Sequence, residues 1–355
     1  MKVLHVISTL ETGGAQRLLV DMLPIMGKRE EMTVLVNLSE ETPFLMALQE
    51  AGVKVKSLNY RRLYSPLNIC KIRRHLKKYD MIHVHLFPSL YWVAFANLFL
   101  GKKLIYTEHS TYNSRRSKQW LRPLEKYVYS RYTKILSISD LTQSNLKQWL
   151  KVVDNDRRFE IVNNGVDLSH FHSKNKTRNG SKVLIMVSRF AESKDQATVI
   201  RSMALLDKHI RLVLVGDGPT IEQCKTLAKE LNVADRVDFV GMQSNVSRWL
   251  EKADIGIQSS KWEGFGLTAV EMMAAGLPVI ATSVDGLKQV VEGAGELFNV
   301  GDEKELVNKV NRLVSDVNYY ETVSGRCMER ATIYDIKTTA QKYLNIYKEI
   351  FEDDR

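Results

Sequence analysis

The chain has 355 residues, a formal net charge of +10, and 44% apolar against 26% charged residues. It is too long for one ordinary core and too apolar for a disordered segment, so two globular domains are expected. Cys70, Cys224 and Cys327 stand far apart, with no CxxC and no histidine at metal-ligand spacing. That argues against a disulfide framework or a structural zinc site and suits a reducing cytoplasm.

The opening "MKVLHVISTLETGG" carries one lysine and an apolar patch too short for a signal-peptide core, and it predicts a first buried strand. "SLYWVAFANLFLG" is also too short to span a bilayer and carries Asn97. The expectation is a cytoplasmic protein with no integral membrane segment. Charge is unevenly shared: residues 1–170 hold 26 Lys and Arg against 15 Asp and Glu, a net +11, and the remainder nets −1. Such an excess fits solvated helix faces, or an anionic partner such as nucleic acid, a membrane surface or an acidic substrate.

In chain order, "KVLHVIST", "EMTVLVNL", "KVKSLN", "DMIHVHL", "KKLIYTEH" and "KILSISD" predict strands. "AQRLLVDMLPIM", "TPFLMALQEAG" and the basic "NICKIRRHLKKY" predict helices between them. The alternation resumes with "SKVLIMVSRF", "RLVLVGDGP", "RVDFVGM", "ADIGIQSS" and "LPVIAT" as strands, and "IKTTAQKYLNIYKEIFEDD" as a last helix. Apolar strands alternating with helices imply parallel sheets covered on both faces. The polar stretch at 172–182 reads as a linker, giving domains at 1–171 and 183–334 and a terminal helix from about 335 to 355. Two doubly wound α/β domains would face each other across a cleft lined by the carboxyl ends of their strands.

Residues 259–282, "SSKWEGFGLTAVEMMAAGLPVIAT", carry the clearest chemistry. Gly264 and Gly266 let the backbone approach a ligand. A helix beginning near Leu267 and Thr268 offers free N–H groups to an anion, and phosphate is the natural guest. Glu263 and Glu271 flank that site. "SRFAESK" ends a strand with Arg189 and places Lys194 five residues on, a guanidinium fork and a mobile point charge suited to one diphosphate. "TGGAQ" supplies a second glycine loop, Gly13-Gly14, and "VGDGP" a turn at Gly216 that lacks the third glycine of a dinucleotide fingerprint. His109 closes the strand of "YTEHS". His83 and His85 share one strand face, where packing outweighs metal binding for want of a third ligand nearby in sequence. The "DND" at 154–156 reads as surface.

In this order the motifs resemble the family-4 retaining glycosyltransferases of GT-B fold. They run from Gly13-Gly14 and "DMIHVHL" through "TEHS", "NNGVDLSHF", "SRFAESKD", "LVLVGDGP" and "VDFVGM" to "EGFGLTAVEMMAAGLPVIAT" with its Glu-x7-Glu spacing. The resemblance implies that Arg189 and Lys194 hold the donor diphosphate, with Gly14 approaching it. It implies that Glu271 binds the ribose hydroxyls, that Glu263 binds the transferred sugar, and that His109 reaches the sugar near the reacting centre. Phe265, Gly266, Leu267 and Thr268 would contact sugar and phosphate through their backbone, and Gly13, Asn164 and Gly216 join the donor-binding set. It further implies no metal and no other cofactor, a nucleotide sugar (most often a UDP-sugar, with GDP-mannose as second option) and a lipid-linked or polysaccharide acceptor. The terminal helix fits the family habit of crossing back onto the first domain. Ser188, Asp195 and Gln16 depart from the commoner Gly, Gly and Glu at those positions, and no charged partner is lost. The competing readings are a nucleotide-sugar epimerase of GT-B architecture and a basic nucleic-acid-binding protein, the latter without any supporting motif.

Overall fold

Strands that bury both faces pair in parallel, and the computed structural model contains two such sheets over its described residues, 1–352 apart from 12, 39–40, 112, 172–181 and 244. The first is built from β1 (Lys2–Val6), β2 (Glu31–Val36), β3 (Lys54–Ser57), β4 (Met81–His85), β5 (Lys103–Glu108), β6 (Lys134–Ser137) and β7 (Phe159–Ile161). Their order is β3-β2-β1-β4-β5-β6-β7. The second is built from β8 (Lys182–Val187), β9 (Ile210–Val215), β10 (Val237–Phe239), β11 (Ile255–Gln258), β12 (Val279–Thr282) and β13 (Glu296–Phe298), ordered β10-β9-β8-β11-β12-β13. Each sheet begins in its middle, grows to one side and then reverses, the doubly wound Rossmann pattern. Strands β7 and β13 are additions to the sequence reading.

Alternate residues of the first sheet feed two cores. Leu4, Val6, Ile82, Val84, Leu104 and Tyr106 point to one, under the helices Leu67–Leu76 and Ser89–Ala96. Val3, Ile7, Val34, Met81 and Ile105 point to the other, under the helices Gly14–Met26 and Ile336–Glu352. The helix Ser89–Ala96, apolar on every side, is a core helix. No helix of the described residues is long and apolar enough to cross a membrane.

The chain divides into two units: Met1–Gly165 with Ile336–Arg355, and Val166–Asp335. The last helix thus completes the first unit, where Ile336, Ala340, Tyr343 and Tyr347 are fully buried. Gly165 makes room for it. A Cβ there would stand 2.6 Å from Thr339 Oγ1 and 2.7 Å from the Ile336 Cα. The second unit closes on itself where the Val166 N–H donates to the Tyr334 carbonyl at 2.8 Å. Residues 166–171 therefore travel with the second unit instead of the first. The linker expected at 172–182 lies, except for Lys182, outside the described residues.

Candidate active site

Where strand order reverses, the loops leaving two neighbouring strands splay apart, and open α/β sheets bind ligands there. In the second sheet that point lies between β8 and β11. The loop after β8 carries Arg189 and Lys194, and the loop after β11 carries Glu263 through Gly266. The two motifs singled out in the sequence, about 70 residues apart, thus meet at one sheet end.

They are fastened together by backbone and small polar side chains. Lys261 N–H donates to the Ser193 carbonyl at 2.8 Å, and Ser259 Oγ donates to the Asp195 carbonyl at 3.1 Å. Asp195 holds a left-handed conformation, φ +47°, and its carboxylate accepts from Thr198 Oγ1. This turn lifts Lys194 onto Glu263, whose carboxylate accepts from the lysine Nζ. Glu263 also accepts from the Gly264 N–H, 3.1 Å from Oε1. Arg189 is exposed, and its guanidinium makes no hydrogen bond or ion pair among the described residues.

The helix Leu267–Ala274 starts immediately after this pair. Its N-cap, Gly266, has φ +91°, a conformation open to glycine at little cost. Ala269 and Val270 donate to the Gly266 carbonyl, while among the described residues no backbone carbonyl accepts from the N–H groups of Leu267 and Thr268. Those two donors and the positive end of the helix dipole form a corner suited to an anion, at the same sheet end as Arg189 and Lys194. Phe265 turns its ring away from this corner and packs edge-on against Tyr334, with ring centroids 5.3 Å apart. Glu271 is half-buried within the helix, one turn further on.

Gly216 has a structural duty. Its φ is +134°, and a Cβ would lie 2.0 Å from the Ser188 carbonyl oxygen. Gly218 is pressed in the same way against Phe190. These glycines let the turn after β9 lie against the Arg189 loop, joined by Ser188 N–H to the Val215 carbonyl at 3.0 Å and Phe190 N–H to the Asp217 carbonyl at 2.9 Å. Three residues absent from the sequence reading also hold the corner. Buried Gln196 donates through Nε2 to Ser188 Oγ and to the Arg189 carbonyl, both at 2.9 Å. Thr282 Oγ1 donates to the Ser260 carbonyl at 2.7 Å. Gly286 admits the Glu263 loop, since a Cβ would stand 2.2 Å from the Glu263 oxygen.

The remaining candidates belong to the first unit, whose strand order reverses between β1 and β4. Gly13 caps the helix Gly14–Met26, and a Cβ on it would meet Gln16 Oε1 at 2.4 Å. Gln16 is folded down there, with Nε2 3.5 Å from the Thr9 carbonyl. Asn164, 3% exposed, precedes Gly165 at the end of the unit's first segment, with its Oδ1 unpartnered among the described residues. His109 follows β5, and its Nε2 lies 3.1 Å from His85 Nδ1. Burial pushes the His109 imidazole down to about 3, so it is uncharged at neutral pH.

His83 and His85 do find a third histidine. The parallel register places His5 of β1 opposite His83, and the nitrogens of His5, His83 and His85 come within 4.8 Å of one another. Those nitrogens are largely occupied: His83 by Tyr347 and by Thr107 Oγ1 at 2.7 Å, and His5 and His85 by each other at 3.1 Å. The "DND" segment is tied by Asp156, whose carboxylate accepts from Arg158 Nη2 at 2.6 Å and is held below the usual carboxylate range chiefly by that bond.

Two doubly wound parallel units are the architecture of the GT-B fold. The family described as Glycosyltransferase Family 4 matches residues 12–170, and that described as Glycosyl transferases group 1 matches residues 169–326. The chain belongs to glycosyltransferase family 4. It is similar to N-acetyl-alpha-D-glucosaminyl L-malate synthase of Bacillus anthracis, 27% identical over 78% of this chain and 76% of that one. It is also similar to the Campylobacter jejuni N-acetylgalactosamine-N,N'-diacetylbacillosaminyl-diphospho-undecaprenol 4-alpha-N-acetylgalactosaminyltransferase, 26% identical over 95% and 98% of the two chains. Among solved structures, Anabaena HepE in complex with UDP-glucose has the same fold, with a TM-score of 0.85 at 22% identity over 98% of this chain and 100% of that chain.

Proposed function

We propose that the chain is a retaining, metal-independent glycosyltransferase that moves a hexosyl or N-acetylhexosaminyl group from a UDP-sugar to a lipid-linked or polysaccharide acceptor. The observation that carries this reading is the Lys194–Glu263 ion pair beside the free N–H groups of Leu267 and Thr268. It supplies a cation for phosphate and an acceptor for hydroxyls next to each other, the two kinds of group a nucleotide sugar presents.

On binding, the donor diphosphate takes Lys194, Arg189 and the helix N–H groups. Glu263 is then free to accept from sugar hydroxyls, and Glu271 accepts from the ribose. Breaking the sugar–phosphate bond builds negative charge on the diphosphate and oxocarbenium character on the sugar. Donors already fixed around the phosphate stabilise that charge without reorganising. His109, from the first unit, contacts the transferred sugar. Gly13, Gly14, Asn164, Gly216, Phe265 and Gly266 shape the donor site. The acceptor attacks from the side the diphosphate leaves, so the anomeric configuration is retained with no protein nucleophile.

The UDP donor is supported by the HepE structure, which was solved with UDP-glucose, and the lipid-linked acceptor by the Campylobacter relative's name. The basic excess of residues 1–170 supports an anionic membrane surface as a further partner, on the inner face of the cytoplasmic membrane.

Thermal shift against UDP, UDP-glucose, UDP-GlcNAc, UDP-GalNAc and GDP-mannose tests the donor. A ligand at 100 times its Kd adds about 2.7 kcal/mol of stability, a clear rise in Tm. A rise with GDP-mannose alone would overturn the UDP assignment. Proton NMR of the product then reads the anomeric configuration, and an inverted product refutes the retaining mechanism. Conversion of the sugar without an acceptor would point to an epimerase, and a salt-dependent shift with RNA or DNA to a nucleic-acid-binding protein.

A further inference from the structure

Three histidines of the first sheet form a file across adjacent strands: His5 on β1, His85 on β4 and His109 just past β5. His5 Nδ1 lies 3.1 Å from His85 Nε2, and His85 Nδ1 lies 3.1 Å from His109 Nε2. The two outer nitrogens, His5 Nε2 and His109 Nδ1, are buried and unpartnered among the described residues. His83 lies beside the file but outside it, both of its nitrogens being spent on Tyr347 and Thr107.

We propose that His5 and His85 are positioning residues that lock His109 as a hydrogen-bond donor at Nδ1. Burial keeps all three rings uncharged at neutral pH, with His5 and His109 lowered to about 3 and His85 well below its ordinary value. A neutral imidazole has one N–H and one lone pair, so each internal contact needs one of each. Only two proton arrangements satisfy both contacts. In one, every ring carries its proton on Nδ1, His5 donates to His85, His85 donates to His109, and His109 has an N–H to offer. In the other, every proton sits on Nε2, and the unmatched N–H falls on His5.

His5 is 0% exposed in the core, while His109 is partly exposed at the strand end. Both outer nitrogens are buried, but His5 is enclosed in the core while His109 stands at the strand end, where a ligand oxygen can approach and satisfy an orphaned N–H, so the first arrangement prevails. Conversion to the second would need a proton delivered to His5 Nε2 from inside the core. The file is therefore a lock, not a relay. On the reading above, that His109 meets the donor sugar, it presents an N–H to a sugar oxygen and cannot serve as a base.

The test is the tautomeric state of each ring in the full chain labelled with 15N-histidine, read from long-range 1H–15N correlations at neutral pH. The expected result is the Nδ1–H pattern at His5, His85 and His109, unchanged by EDTA. An Nε2–H pattern at any of the three overturns the lock, and ring signals that move on chelation reveal a bound metal and overturn it as well. His5→Asn keeps a donor near the Nδ1 position and is expected to leave His109 in a single Nδ1–H state. His5→Phe removes that donor and is expected to split His109 between tautomers and lower kcat about tenfold, the worth of one hydrogen bond. An undisturbed His109 in His5→Phe would reduce His5 to packing. If His5→Phe does not fold, the wild-type and His5→Asn spectra decide. Titration with UDP-glucose addresses the site separately: no response at His109 would count against its contact with the sugar and leave the tautomer result standing.

Discussion

Lys194 and Glu263 keep only 22% and 17% of their side-chain surface in water, so each is screened less than an ordinary surface charge. On the proposed function, Lys194 exchanges this carboxylate for the donor diphosphate. Lys194→Ala is expected to lower kcat/KM by about 10²–10³, as when one fixed donor to a developing anion is removed, and steady-state kinetics read it. Lys225→Ala, which breaks an exposed pair with Glu222, is the control and should leave kcat/KM unchanged. A second outcome at this scale concerns acid. His5, His83, His85 and His109 all have folded-state values below the unfolded value near 6.5, chiefly through burial. The unfolded chain therefore binds more protons below about pH 6.5, and stability present above that pH is lost as pH falls toward 3. Each buried histidine contributes about 1.4 kcal/mol per pH unit within the window. Urea midpoints should fall steeply from pH 6.5 to pH 5, and less steeply in His5→Asn.

At the level of elements, the glycines of the β9 turn show what close approach demands. Gly216→Ala would drive a Cβ into the Ser188 carbonyl and strain a positive φ, costing about 2–4 kcal/mol. Gly52→Ala shares the positive φ but meets nothing within 4 Å, and should cost only about 1 kcal/mol. Urea denaturation of both variants separates space from backbone strain. The Gly216 variant should also lose the UDP-induced rise in Tm, because the displaced loop carries Arg189.

The longer elements were legible in the sequence because each shows an apolar run or a helical period. Strands β7 and β13 were not: each is three residues at a sheet edge and lacks the apolar run that made the equally short edge strand β10 legible within "RVDFVGM". The chemical motif at 259–282 was legible because its glycines, helix start and carboxylates are contiguous. What fastens it was hidden: Gln196, Thr282 and Gly286 look ordinary, and their roles come from loops that meet only in three dimensions. His5 escaped for a related reason. Its partnership with His85 is set by the pairing of β1 with β4, some 80 residues apart.

For the whole molecule, the charge difference between the two halves has an observable outcome. With +11 in residues 1–170 and exposed Tyr64, Leu67 and Trp120 among the basic stretches, the proposed membrane partner predicts co-sedimentation with anionic vesicles at low salt and release at high salt. Absence of binding at low salt would remove the membrane from the proposal. The division into two domains was legible from the repeated strand–helix alternation. The assignment of residues 166–171 was not, because it depends on the Val166–Tyr334 backbone bond.

The last helix sets the order in which the molecule can be made. Ile336–Glu352 supplies fully buried residues to a core whose other walls come from the first 165 residues. A ribosome must therefore deliver the chain through Ile350 before that core can shut. The second unit, continuous in sequence, is complete earlier and can fold while the first still waits. The amino-terminal unit is thus the last to mature, and a nascent chain stalled near residue 335 would hold a finished second unit while the first is still open over its histidines.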